Sequence, residues 1–203
     1  MQHAFHVARV ALASLLAWGL AAGAAAQTPT FELTFESGFT AAAAGDGVVK
    51  NKNVPVLVPG LRGQAAQFST TNALKYNATN NISNAAGALS MWMKVPFDGF
   101  GEPAFQGYVF KHKVEIFYVG QATFRVHPKT ISRWLGIPEA ALWRAGEWHH
   151  VVVDWNCTNN WGYWAYVDGR LSSYAMSSAL NDFSWEPQTW TPEDPTTFFF
   201  GGF

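Results

Sequence analysis

The sequence is short of charge, of cysteine and of helical periodicity, and each shortage excludes something. Asp, Glu, Lys and Arg together make 13% of the chain, against ~25% in typical soluble domains. Its 13 basic and 14 acidic residues nearly cancel. No field of one sign is present to hold nucleic acid or an anionic membrane surface, so neither partner is expected. Cys157 is the only cysteine; it has no mate for an internal disulfide and no nucleophile motif around it, and it reads as a partly buried spectator. Past the N-terminal segment no apolar run is long enough to span a bilayer. Heptads, internal repeats and low-complexity linkers are absent, as are Gly-x-Ser-x-Gly, His-Glu-x-x-His and a Gly-rich phosphate loop.

What is present begins with MQHAFHVARVALASLLAWGLAAGAAAQTP. Arg9 stands before an apolar run from Val10 to Gly23, which closes on Ala24-Ala25-Ala26, the small-x-small pattern that signal peptidase cuts. Residues 1–26 therefore read as a secretory leader, with the mature chain starting at Gln27 in an extracellular or periplasmic compartment. The run is shorter than the ~20 residues of a spanning helix, which is the argument against an uncleaved anchor and against membrane insertion after cleavage. Residues 27–203 suffice for one domain with a full core. The Ala-rich leader looks bacterial, so the glycosylation patterns at Asn77, Asn81 and Asn156 carry no functional weight.

Aromatics reach 16%, and short runs of Val, Phe, Tyr, Trp and Thr recur between Gly, Pro, Asn and Asp clusters, which is an all-β pattern. The runs are TFELTFE from Thr30, QAAQFS from Gln64, ALSMWMKV from Ala88, QGYVFKH from Gln106, VEIFYVG from Val114 and ATFRVH from Ala122. EWHHVVVDW from Glu147, WGYWAYV from Trp161, RLSSYAM from Arg170 and TTFFFGGF from Thr196 complete the set. Asp168-Gly169 sits between two of them and suits the positive φ angles of a tight hairpin. The one helix-like piece spans Ile131 to Leu142, cut short by Pro138, and Ala41 to Ala44 reads as loop. Many short antiparallel strands imply a two-sheet antiparallel β-sandwich or jelly roll.

Five pieces in order give the chain a family likeness: the FELTFE strand, PGLRGQAAQF from Pro59, GALSMWMKVP, GEWHHVVVDWN and YVDGRL. Their sequence resembles the laminin G-like jelly rolls of the concanavalin A-like lectin and glucanase superfamily, over nearly the whole mature chain. In that family a strand like FFFGGF is followed by an acidic strand that returns beside the N-terminal one. The resemblance thus implies a domain truncated at Phe203, with an exposed edge. It also implies a structural Ca2+ near the first strand, for which Glu36 and Asp46 offer oxygens. The carboxylate triplet with which the family's glucanases work is not found, so no catalytic residue is expected.

GEWHHVVVDWN poses the sharpest question, because His, Glu and Asp within a few residues could be a metal or acid–base site. Strand alternation answers it: His149, Val151, Val153 and Trp155 share one face, and Trp148, His150, Val152 and Asp154 the other. The histidines cannot converge. Leu89, Met91, Met93 and Val95 likewise oppose Ser90, Trp92 and Lys94, and Trp164, Tyr166 and Asp168 oppose Tyr163, Ala165 and Val167. If these strands are neighbours, Trp92, Trp148, His150, Asp154, Trp164 and Tyr166 line one outer surface. Sugar C–H faces stack on such rings and sugar hydroxyls bond His and Asp; long loops folding over the same face as a second small core would use the same residues. Trp161, Trp185 and Trp190 lie in polar loops, as binding residues or as lids. The expectation is an exported, non-catalytic recognition module for glycan or polysaccharide. An adhesion or protein-interaction domain is the alternative, and an unrecognised polysaccharide hydrolase or lyase the second alternative.

Overall fold

The computed structural model describes residues 5–13, 28–69, 71–83, 86–96, 98, 106–111, 114–119, 123–128, 135–156, 162–176 and 196–201; for 5–13, 106–111, 114–119, 123–128, 135, 175 and 176 this is the course of the backbone. The strands are β1 (Phe5–Ala13), β2 (Phe31–Leu33), β3 (Ala42–Ala43), β4 (Val56–Pro59) and β5 (Gln64–Phe68). They continue as β6 (Ala73–Asn77), β7 (Ala86–Lys94), β8 (Gln106–Lys111), β9 (Val114–Val119) and β10 (Thr123–Pro128). β11 (Leu135–Ile137), β12 (Trp148–Asn156), β13 (Gly162–Val167), β14 (Arg170–Met176) and β15 (Thr197–Gly201) complete them. The only helical piece among the described residues is a 3-10 turn over Pro138–Leu142. The fold is all-β, as the sequence pattern predicts, and the strand pairings are antiparallel.

Two sheets form. The larger runs β14-β13-β12-β7-β1-β2-β3, with β5 on β1 and β4 on β5. The smaller runs β11-β10-β9-β8-β15-β6. Their inward faces meet in one hydrophobic cluster. Phe31 of the larger sheet packs edge-on against Tyr76 at 4.9 Å and Phe198 at 5.0 Å, both from the smaller sheet. The Tyr76 hydroxyl donates to the Phe39 carbonyl at 2.7 Å, so the ring is buried without orphaning its oxygen. Burial also pushes its pKa well above the ordinary phenol value. Each fully buried Phe or Leu here contributes about 1.5–3 kcal/mol.

Several expectations need correction. β2 stops at Leu33 rather than running through Glu36, because Phe35 takes φ 68°, outside the strand region. Of the helix-like reading of 131–142, Leu135–Ile137 is instead a strand against β10, Pro138 opens a helical turn, and 131–134 lie outside the described residues. Ala42 and Ala43 pair with β2 instead of lying in a loop. Val56–Pro59 and Ala73–Asn77 are strands that the list of apolar runs omitted. The largest surprise is β1: nine residues within the segment read as a leader form a strand between β7 and β2.

Two loop devices hold the cluster's rim. At the β4–β5 turn, Gly60 N–H donates to the Gly63 carbonyl at 2.9 Å, and the Glu36 carboxylate accepts the Gln64 N–H at 2.9 Å. Gly63 has φ 60°, and a Cβ there would run into the Glu36 carboxylate. Asn81 is the second device and is wholly buried. Its Oδ1 accepts from Gly45 N–H at 2.9 Å, and its Nδ2 donates to the carbonyls of Asp46 at 3.0 Å and Asn77 at 2.9 Å.

Candidate functional site

The outer surface begins with register. β12 pairs with β7 so that His150 stands opposite Trp92, Val152 opposite Ser90 and Trp148 opposite Lys94. On its other edge β13 sets Trp164 opposite Asp154 and Tyr166 opposite Val152. Directly opposed residues of an antiparallel pair share a face. Trp92, Trp148, His150, Asp154, Trp164 and Tyr166 therefore occupy one side of three adjacent strands, and all six are half-buried. Met91, Met93, Leu89, Val151, Val153, Trp155, Tyr163 and Ala165 face the other way and are buried in the core. The alternation expected from the sequence is the one found.

Side-chain contacts organise this face. The His150 ring stacks on Trp92 with centroids 5.0 Å apart, and its Nε2 shares a hydrogen bond of 2.9 Å with Ser90 Oγ. Lys94 Nζ lies 5.1 Å over the Trp148 ring, within cation–π range. Trp164 lies against Gly162, two residues back on the same face, where a Cβ would collide with the indole. Burial lowers the His150 pKa, opposed by the charge of Asp168, so the ring is held neutral and keeps an acceptor nitrogen. Burial also raises the Asp154 carboxyl above its usual range, opposed by the Trp155 backbone hydrogen bond. The aromatic face thus carries a neutral imidazole and a carboxylate that is partly desolvated.

The two histidines point to opposite faces, yet one residue ties both. Asp168, at φ 49° in the Asp-Gly turn, accepts from the His149 ring Nδ1 at 2.9 Å and from the His150 backbone N–H at 2.9 Å. Burial would raise the Asp168 pKa, but these hydrogen bonds and the histidine charges outweigh it, and the net shift is downward. His149 stacks on Trp143 at 4.4 Å and 8°, with Glu147 Oε2 3.8 Å from its Nε2. Since an ionised carboxylate can only accept, Nδ1 carries the proton, and the buried Nε2 has no hydrogen-bond partner among the described residues. The hairpin is thereby clamped to the start of β12.

Residues that sequence reasoning passed over also belong to the surface. Tyr174 stands opposite Trp164 and Leu171 opposite Tyr166 on β14, and they are 61% and 51% exposed. The signal was available for Leu171, because the two-residue turn sets Val167 opposite Arg170 and Tyr166 opposite Leu171; Tyr174 reaches Trp164 only through the register shift between Ala165 and Tyr166. Trp161, Trp185, Trp190 and Cys157 lie outside the described residues.

The carboxylates considered for Ca2+ are engaged elsewhere. Glu36 accepts the Gln64 N–H, and Asp46 accepts the Val48 N–H at 2.9 Å and pairs with the Lys50 ammonium. The Lys50 hydrogen bond, then that from Val48, holds the Asp46 pKa below its usual value, although burial opposes both. No group of three or more His, Cys, Asp or Glu side chains that could hold a metal occurs among the described residues. The oxygen set at Glu36 and Asp46 is therefore a poor fit to a cation that takes 6–8 oxygen ligands.

No protein-family model matches the chain, and no curated protein matches it either.

Proposed function

We propose that the protein is an exported, non-catalytic recognition module, built as a laminin G-like β-sandwich of the concanavalin A-like jelly-roll type, whose ligand is a carbohydrate. The observation that carries the reading is the shared face of Trp92, Trp148, His150, Asp154, Trp164 and Tyr166 on β7, β12 and β13. Indole and phenol planes offer stacking to the apolar faces of pyranose rings, while His150 and Asp154 offer an acceptor nitrogen and acceptor oxygens to ring hydroxyls. The low charge of the chain suits a neutral ligand. A packed core does not need Asp154 on this face, where burial disfavours its ionised form.

A glycan array probed with the protein, with and without calcium, tests the reading. Binding is expected and should fall at least tenfold in Trp148→Ala and Trp164→Ala variants that melt as wild type does; a blank array overturns the assignment. Turnover of β-glucan or alginate by the purified protein would overturn the non-catalytic part. The exposed Leu171 and Tyr174 at the β14 margin favour a second reading, an adhesion domain that contacts protein there.

A further inference from the structure

Two departures from regular strand structure and one ill-placed carboxylate converge around Trp164. The first departure is Gly162. A Cβ built there meets the far edge of the Trp164 indole at 2.3–3.0 Å, so the indole lies back along its own strand instead of standing out from the sheet. The second is the register shift between β13 and β14. Continued from the Asp168-Gly169 turn, the pairing would set Ser173 opposite Trp164 and turn Tyr174 toward the core side. With one extra residue opposite Ala165, Tyr174 stands opposite Trp164 on the outer face and is 61% exposed. The Ser172 hydroxyl donates to the Glu139 carboxylate of the 3-10 turn and pins this bulge. The carboxylate is Asp154, half-buried between Trp164 on β13 and Ala88 on β7, whose side chain has nothing to bond it. These three side chains are also unspent. Trp92 and His150 stack on each other and Ser90 occupies the imidazole Nε2, whereas Trp164 and Tyr174 make no hydrogen bond or ring contact with another described residue. Asp154 has no side-chain partner among them either.

We propose that Trp164, Tyr174 and Asp154 form the anchoring subsite of the carbohydrate site, and that it takes a neutral pyranose ring with two adjacent free hydroxyls. The apolar side of the ring stacks on the Trp164 indole beside Tyr174, and the two hydroxyls donate to the two oxygens of Asp154. A uronate or sulfate in the same place would set an anion against a partly desolvated carboxylate, so acidic glycans are refused. Gly162 and the bulge at Ser172 are positioning features. Neither touches the sugar, and each sets the place of an aromatic ring that does. The subsite rests on the carbohydrate reading of this face and narrows it to one end of the face and one class of sugar.

The test probes the full chain on an array that carries neutral gluco-, xylo-, galacto- and manno-oligosaccharides beside oligouronates and sulfated glycans. The best-bound oligosaccharide is then titrated calorimetrically against wild type, Gly162→Ala, Tyr174→Ala, Tyr174→Phe, Asp154→Asn and Trp92→Ala. Expected are binding of neutral glycans alone and a loss of about tenfold in Gly162→Ala, Tyr174→Ala and Asp154→Asn. Tyr174→Phe, which keeps the ring, should bind as wild type does, and Trp92→Ala should lose less than Tyr174→Ala. Gly162→Ala should melt near wild type, because its Cβ meets only the movable end of a side chain; Tyr174→Ala removes an exposed ring and gives the same reading should Gly162→Ala fail to fold. A preference for acidic glycans, or wild-type affinity in Tyr174→Ala, overturns the subsite and leaves the carbohydrate reading standing. A blank array overturns both.

Discussion

Replacing Asn81 by Ala should cost the fold more than any other single polar change among the described residues. The amide makes three hydrogen bonds, from Gly45 N–H and to the carbonyls of Asp46 and Asn77, and it is wholly buried. A net value of about 1 kcal/mol per bond, with the Gly45 donor left unsatisfied, gives a loss of about 3–4 kcal/mol. In a domain of this size each kcal/mol moves the midpoint by about 2–4 °C, so thermal unfolding followed by far-UV circular dichroism should shift down by about 6–16 °C. Asn81→Asp separates the polar network from simple volume. Its carboxylate can still accept from Gly45, but it turns acceptor against acceptor at two carbonyls, and burial raises its folded pKa. A group with a raised folded pKa stabilises below its unfolded value of about 3.9 and loses that contribution as pH rises. Asn81→Asp should therefore lie closer to wild type at pH 4 than at pH 7, while the Asn81→Ala deficit stays level. A shift under about 3 °C for Asn81→Ala, or a pH-independent deficit for Asn81→Asp, would refute the reasoning.

Gly63→Ala should destabilise by about 1–3 kcal/mol, because Ala at φ 60° is strained and its Cβ meets the Glu36 carboxylate. The same change in a Glu36→Ala background should cost less, and urea melts of the four proteins in the cycle measure the difference. Asp154→Asn should raise stability at pH 7 and lose its advantage as pH falls toward 4. The folded Asp154 pKa lies above its ordinary value of 3.8, so ionisation is what costs the native state. Asp168→Ala should cost about 1–3 kcal/mol near neutrality by removing the bonds to His149 and His150. Here the folded pKa is depressed, so the Asp168 contribution is present above about 3.8 and fades as pH falls through the folded value. The gap between the two proteins should therefore narrow in acid melts.

What could be read from sequence is what repeats locally. The period of two in ALSMWMK and WHHVVVDW separates buried from outward residues without knowledge of any neighbour, and the Asp168-Gly169 turn fixes the first pairs of β13 on β14, as far as the register shift at Ala165 and Tyr166. Asn81 was invisible by the same logic. Its partners Gly45 and Asp46 lie some 35 residues away, and a lone Asn followed by Ile-Ser looks like an acceptor for glycosylation. Phe35 was misplaced because the apolar alternation of FELTF continues past the point where the backbone turns left-handed. For Phe5–Ala13, composition spoke for a leader while the alternation of Phe5, Val7, Val10 and Leu12 went unread, since the register shift hides it from a strict period of two.

β7 carries both the core and the aromatic surface. Its core-facing residues Leu89, Met91 and Met93 meet β1, and its outward residues Ser90, Trp92 and Lys94 frame the aromatic surface, alternating along the same nine residues. With β1 in place β7 is a central strand, paired to β12 on one edge and to β1 on the other. Taking β1 away makes it an edge strand, free to twist more strongly than an interior one. Ser90 and Lys94, which hold the His150 and Trp148 rings, would move with it.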